Sequence, residues 1–278
     1  MSTVVFFAVL GAAFLHAGWN ALVRVGDDKV TTMLVLTLVQ GGMGAVIAAT
    51  MDWPSGVVWL WLLASGVFHA GYKIFLTFAY EQGDLSRVYP IARGAAPLMV
   101  LGVSALISRE ILAKGEVFAI LVLGAGILMM GHGAIRSGES RKLLPFALAS
   151  AAMTAGYSLV DGLGARVAGN AAQFVAWLFV FDAVLFTPII LALRGRGVLR
   201  ATPLGWAMGA AAGALSYGAY AIAVWAMTVA PIALVTALRE TSILFAVLIG
   251  WLVFGERMDG WKAGAVALIV LGVVLVRL

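Results

Sequence analysis

The chain has 278 residues, of which 63% are hydrophobic and only 11% charged, whereas a soluble domain is usually about 45–50% apolar and about 25% charged. The absence of cysteine excludes disulfides, thiolate metal sites and cysteine nucleophiles. Although the net charge is +5, the 18 Lys and Arg residues stand mostly alone or in small groups at the ends of apolar runs, a pattern that orients membrane helices rather than binding nucleic acid.

The apolar residues form ten runs, each of about the 20 residues that cross the hydrocarbon core of a bilayer. Backbone polar groups in hydrocarbon must be satisfied within the segment, so we expect these runs to be α-helices. The sequence therefore predicts an all-α integral membrane protein with ten transmembrane helices. The predicted spans 1 to 10 cover residues 4–24, 31–50, 57–80, 86–108, 115–134, 144–166, 172–193, 204–228, 231–254 and 259–277.

Short connections join the predicted spans, so neighbouring helices are expected to be antiparallel. Most of the basic residues outside the spans follow odd-numbered spans. By the positive-inside rule, this asymmetry places the odd-numbered connections in the cytoplasm and both chain ends outside. Outer-membrane barrels show shorter, alternating segments instead, so we expect a multi-pass protein of the bacterial inner (plasma) membrane.

The two halves of the chain share a pattern of charged and small residues. Small gaps align spans 1–5 with spans 6–10, and because five is odd, the second half begins on the opposite side of the membrane. We therefore predict two inverted five-helix repeats, 1–138 and 139–278, around a central cavity. The aligned pairs are Arg93 and Arg239, Glu110 and Glu256, Gly126 and Gly272, Gly18 and Gly156, Gly66 and Gly213, and Gly71 and Gly218.

Charged residues inside hydrocarbon are costly and therefore informative. Six of them fall well inside predicted spans, three cationic and three anionic, so two interpretations remain open. They either form buried salt bridges that fix the register of the helices, or they contact a transported solute. The six residues are Lys73, Arg93, Asp161, Asp182, Arg239 and Glu240.

Polar and aromatic residues near these charges follow a helical period. In spans 1 and 3 they recur at i, i+3 and i+4, which places them on one helix face, and the repeat maps both stripes onto spans 6 and 8. A shared central cavity explains the four stripes, with aromatic packing between helices as the alternative. The predicted substrate-binding residues are His16, Trp19, Asn20, His69, Tyr72, Lys73, Arg93, Tyr157, Ser158, Asp161, Tyr220, Arg239 and Glu240.

Three short runs have a recognisable order and spacing: HAGWNAL at 16–22, YPIAR at 89–93 and FGER at 254–257. Together they resemble two tandem units of the EamA family, in the drug/metabolite transporter superfamily. The resemblance implies ten helices around a cavity, with spans 1, 3, 4, 6, 8 and 9 nearest to it, and export of amino acids or other small metabolites. The four-helix multidrug members carry an essential Glu in their first helix; span 1 has no carboxylate, so proton coupling by that route is not supported.

We therefore expect a secondary transporter, driven by the proton gradient or acting as a facilitator, that moves an amino acid or a related amphoteric solute by alternating access. Lys73 would suit a solute carboxylate or phosphonate, and Asp161 an amine. A flippase for lipids or lipid-linked sugars is the alternative. An intramembrane enzyme is disfavoured, because Ser216 lacks Gly-x-Ser-x-Gly spacing and the three histidines lack metal-ligand spacing. We predict no catalytic residue, metal or cofactor, and either a monomer or a homo-oligomer, with membrane lipid and a small-molecule solute as partners.

Overall fold

The computed structural model describes residues 1–25, 29–82, 95–104, 112–135, 143–255 and 258–277. Within these ranges the regular structure is helical and no strand occurs. Apart from α4, of which only 95–103 is described, and predicted span 9, which is divided into two helices, the helices begin and end within a few residues of the predicted spans. They are α1 (Thr3–Val25), α2 (Lys29–Ala48), α3 (Val58–Gln82), α4 (95–103), α5 (Lys114–Ile135), α6 (Leu143–Ala168), α7 (Ala171–Arg194), α8 (Pro203–Val229), α9 (Ile232–Arg239), α10 (Ser242–Leu252) and α11 (Gly260–Arg277).

Seven segments within the described ranges are long and apolar enough to cross a membrane, by length and composition. They are α1, α2, α3, α7, α8, the α9–α10 unit and α11. Spans 4, 5 and 6 fall on α4, α5 and α6, and their crossing of the membrane stays a prediction. Large apolar side chains are exposed on the outside of the bundle, as a surface in contact with lipid requires. Examples are Phe7, Leu60, Leu121, Val184 and Leu271.

Local sequence explains where the helices of the second half begin. The Asn170 side chain accepts a hydrogen bond of 3.0 Å from the backbone N–H of Gln173 and so caps α7. Thr202 caps α8 in the same way, through Gly205, and Pro203 occupies the first turn. Such caps satisfy N–H groups that have no partner within the helix. They allow α6, α7 and α8 to follow one another through short connections.

Predicted span 9 coincides with a segment, Ile232–Leu252, that is long and apolar enough to cross a membrane, but its helix is interrupted after Arg239. The interruption is a tightened turn, in which the N–H groups of Glu240 and Thr241 bond to carbonyls three residues earlier. The Thr241 hydroxyl donates to the Leu238 carbonyl at 2.7 Å. A Thr side chain that bonds to the preceding turn competes with the helix and bends it. Arg239 and Glu240 therefore lie at a break inside an apolar segment.

Pairwise packing of the helices is close. The most extensive pairs are α3 with α6, α1 with α8, α2 with α7, and α5 with α11, and α2 also packs on α8 and α3 on α7. Glycine permits these approaches: a Cβ built on Gly213 of α8 would lie 2.9 Å from the Leu36 carbonyl oxygen of α2. Small residues commonly line such contacts between membrane helices.

Two adjacent glycines of α2 provide a matched test of this packing. A Cβ on Gly41 would lie 2.5 Å from the Cβ of Ala183 in α7, whereas a Cβ on Gly42 would meet nothing within 4 Å. We expect Gly41→Ala to destabilise the protein by about 1–3 kcal/mol through overpacking, and Gly42→Ala to be neutral or to stabilise it by up to about 1 kcal/mol, because Ala favours the helix. Thermal unfolding in detergent measures both variants, and equal unfolding temperatures would contradict this account of the α2–α7 contact.

Candidate functional site

A buried cavity lies between the helices and is bordered by seven of them, α1, α2, α3, α6, α7, α8 and α9. Its volume is about 40 Å³, on a scale where one water needs about 10–15 Å³, so it holds a few water molecules. The wall is rich in aromatic and polar side chains. It consists of His16, Trp19, Met33, Leu36, Gln40, His69, Tyr72, Lys73, Tyr157, Phe179, Ser216, Tyr220 and Arg239.

The first charged group of the wall is Lys73 in α3. Its Nζ lies 2.5 Å from Asp182 Oδ2 of α7 and donates to the Thr37 hydroxyl of α2 at 2.7 Å. Asp182 is fully buried behind the cavity. Because an isolated charge inside a membrane protein is costly, the ammonium and the carboxylate stabilise one another there. This ion pair ties three helices together at the cavity wall.

A second network surrounds Asp161 of α6, which is also fully buried. His69 Nε2 of α3 lies 2.9 Å from Asp161 Oδ2, and the Tyr220 hydroxyl of α8 donates to the same oxygen. The Tyr157 ring stacks on the His69 ring, with centroids 4.2 Å apart. The carboxylate is therefore held behind an aromatic layer that forms part of the wall.

The third charged group is Arg239, at the end of α9. Its guanidinium carbon lies 4.9 Å from the centroid of the Tyr220 ring, within the range of a cation–π contact. Its side chain is buried, with only 6% of the residue exposed. Within the described part of the chain, no carboxylate lies within 4.0 Å of this guanidinium, in contrast to Lys73.

Neutral polar groups complete the wall. The Trp19 indole N–H donates to His16 Nδ1 at 3.2 Å, which joins two residues of the predicted stripe on α1. Across the cavity, the Gln40 side chain of α2 donates to the Ser216 hydroxyl of α8 at 3.0 Å. Hydrogen-bond donors and acceptors thus face the cavity from helices of both halves of the chain.

The predicted site residues fall into four groups. Asp161 lies directly behind the wall. Three others lie elsewhere: Asn20 donates to the His16 carbonyl, Ser158 donates to the Thr154 carbonyl, and Glu240 is buried beyond the end of α9. Arg93 lies outside the described residues. The predicted residues that line the cavity are His16, Trp19, His69, Tyr72, Lys73, Tyr157, Tyr220 and Arg239.

Sequence reasoning missed the contribution of α2 and α7. Gln40 and Phe179 line the cavity, and Thr37 and Asp182 hold Lys73. Thr37 and Gln40 are three residues apart in a highly apolar helix, so their shared face was a usable signal. Asp182 stood out as an intramembrane charge, but its distance from Lys73 along the chain concealed the pairing.

Helices long enough to span a membrane, arranged around a polar cavity, are the architecture of secondary transporters. Residues 141–278 match the EamA-like transporter family. The chain belongs to this family, which is part of the drug/metabolite transporter superfamily.

Two further comparisons concern the whole chain. One crystal structure matches 100% of this chain and 99% of its own, with a TM-score of 0.79 and 21% sequence identity. At this identity the likeness shows a common fold and nothing about the transported molecule. No curated protein matches the chain.

The Lys73–Asp182 pair provides a prediction about stability. We expect Lys73→Met alone, or Asp182→Leu alone, to destabilise the protein by about 3–5 kcal/mol, because each leaves a buried charge without its partner. The double variant removes both charges and should recover most of that loss. Thermal unfolding in detergent measures the cycle, and additive effects of the two substitutions would contradict a direct pair.

Proposed function

We propose that this protein is a secondary transporter that exports a small metabolite, an amino acid or a related amphoteric solute, across the bacterial inner membrane by alternating access. The observation that carries the proposal is the cavity, in which cationic Lys73 and Arg239 and the nearby Asp161 border a space between apolar helices. A solute with both an amine and a carboxylate matches a wall that has both signs of charge.

An inverted repeat would supply the two alternating states, and the pattern of helix packing supports it. Exchanging spans 1–5 with spans 6–10 replaces α1 by α6, α2 by α7, α3 by α8 and α5 by α11, and the reverse. The α3–α6 pair then becomes the α8–α1 pair, and the α3–α7 pair becomes the α8–α2 pair. The α2–α7 and α5–α11 pairs become themselves. All of these pairs are present. The second repeat, proposed for 139–278, also contains the stretch that matches the family.

Aligned glycines support the same exchange. A Cβ built on Gly66 of α3 would meet Phe181 of α7, and a Cβ built on its counterpart, Gly213 of α8, would meet α2. Gly126 of α5 faces α11, while its counterpart Gly272 of α11 faces Leu123 of α5. Each glycine thus contacts the helix that the exchange assigns to it. Rocking of one half against the other would then open the cavity to alternate sides.

The interruption at Glu240–Thr241 provides a place where a cavity-lining segment, α9, ends inside the membrane. Discontinuous helices commonly form the solute site of secondary transporters.

The cavity also bears on the alternative functions. A flippase requires a groove open sideways to lipid, whereas His16, His69, Lys73 and Arg239 are each at most 9% exposed. Their burial supports a polar site between the helices, which suits a small solute. The family is a family of transporters, which favours transport over an intramembrane enzyme.

Two tyrosines of α8 provide a matched test. The Tyr220 hydroxyl donates to Asp161 in the cavity wall, while Tyr217 is buried against Phe179 and does not line the cavity. We expect Tyr220→Phe to lower solute flux at least about tenfold, because one charge-assisted hydrogen bond is lost, and Tyr217→Phe to retain flux. The measurement is counterflow in reconstituted vesicles, with a panel of the twenty amino acids and their decarboxylated amines.

Two results would contradict the proposal. One is the absence of flux for every member of the panel together with movement of fluorescent phospholipid between leaflets, which would support the flippase. The other is flux that falls equally in both tyrosine variants, because the wall of the cavity would then have no special role.

A further inference from the structure

The charges at the cavity are not equally compensated. Lys73 has a carboxylate partner at 2.5 Å, and Asp161 has both a histidine and a tyrosine hydroxyl as partners. Arg239 is different. Within the described ranges, its guanidinium contacts the Tyr220 ring and neither donates a hydrogen bond nor forms an ion pair.

Such a guanidinium is an unusual feature of a protein interior. A buried charge without a counterion is strongly unfavourable, and an aromatic face compensates only part of the lost hydration. Arg239 is more than nine-tenths buried and also lines the cavity. Because no acceptor within the described part of the chain bonds its N–H groups, they can bind a molecule that occupies the cavity.

The surroundings of Arg239 also hold it in place. The Tyr220 ring beneath it is fixed by the hydrogen bond from its hydroxyl to Asp161. Arg239 belongs to the last turn of α9, and the backbone tightens directly after it. An arginine whose backbone and side chain are already held in place loses little conformational freedom when it binds a ligand. Its planar guanidinium matches a carboxylate through two parallel hydrogen bonds.

We propose that Arg239 binds the carboxylate of the transported solute, so that the substrates of this protein are carboxylate-bearing molecules. This inference rests on the proposed function and refines it. The sequence favoured Lys73 as the residue that binds an anionic group of the solute. We assign that role to Arg239 instead, because Lys73 already bonds to Asp182 and Thr37 within the protein. An ammonium group on the solute is then tolerated rather than required.

Binding of the isolated functional group tests the proposal without knowledge of the solute. Purified protein in detergent is titrated at constant pH and ionic strength with sodium acetate, sodium methylphosphonate and methylammonium chloride, with sodium chloride as the balancing salt. The readouts are the unfolding temperature and the fluorescence of the tryptophans, one of which, Trp19, lies in the cavity wall. We expect acetate to stabilise the protein and to change its fluorescence, and methylammonium to do neither.

Three variants locate the binding. Arg239→Gln should weaken acetate binding at least about tenfold, because a charge-assisted pair of hydrogen bonds is lost. Arg239→Lys keeps the charge but lacks the planar fork, so its affinity for acetate should lie between those of Arg239→Gln and the wild type. Arg196→Gln removes one cation from an exposed turn remote from the cavity and should bind acetate as the wild type does.

Several outcomes would overturn the inference. They are the lack of an acetate effect on the wild type, an equal effect in Arg239→Gln, and tighter binding of methylphosphonate than of acetate. If Arg239→Gln does not fold, the wild-type comparison of acetate with methylammonium, together with Arg239→Lys, decides the question.

Transport adds an independent arm. For any amino acid that the vesicles take up, its amide should be transported at least about tenfold more slowly, because the amide lacks the anionic group. Equal flux of acid and amide would overturn the inference and leave the transporter proposal intact. Conversely, a protein that binds acetate through Arg239 but moves no panel solute would contradict the proposed function alone.

Discussion

Compensation of charge inside an apolar bundle is the constraint on which this structure depends. Lys73 and Asp182 are buried together with Thr37, and Asp161 is buried with His69 and Tyr220. Without these partners, neither the Lys73–Asp182 pair nor Asp161 could remain charged in hydrocarbon. Each network crosses three helices, α2, α3 and α7 in one and α3, α6 and α8 in the other. The cost of separating these partners fixes the positions of helices from both halves around one cavity.

Close packing supports the networks from outside. Helices of the two halves approach through glycines, and several of these glycines would clash with a neighbouring helix if they carried a side chain. The long polar side chains therefore meet at short distances. Arg239 is the exception, because its position next to a break and above an aromatic ring leaves its charge facing the cavity. Within the described residues, Arg239 has no carboxylate within 4.0 Å, unlike Lys73, and this arrangement is suited to a solute that supplies an anion.

The sequence predicted the helices and most of the cavity wall, since hydropathy sets the length of a membrane helix and a helical period sets its polar face. It did not predict which charges pair, because Lys73 and Asp182 meet only through tertiary packing. The break after Arg239 carries no glycine or proline, the usual signals of an interruption. The role of α2 was missed because Thr37 and Gln40 are only two polar residues within the apolar stretch 33–43. Arg93 and the aligned glutamates lie outside the described residues.

The central claim is that the cavity is the transport pathway, and the natural absence of cysteine permits a direct measurement. Ser216→Cys places one thiol at a half-buried position of the wall, and Ser65→Cys places one at a fully buried position outside it. Both variants are treated in vesicles with a membrane-impermeant thiol reagent, from each side in turn, and solute flux is followed. The account predicts that Ser216→Cys is modified from both sides, loses flux, and is protected by the solute, whereas Ser65→Cys is unaffected. Flux by modified Ser216→Cys that equals that of the untreated protein would contradict it.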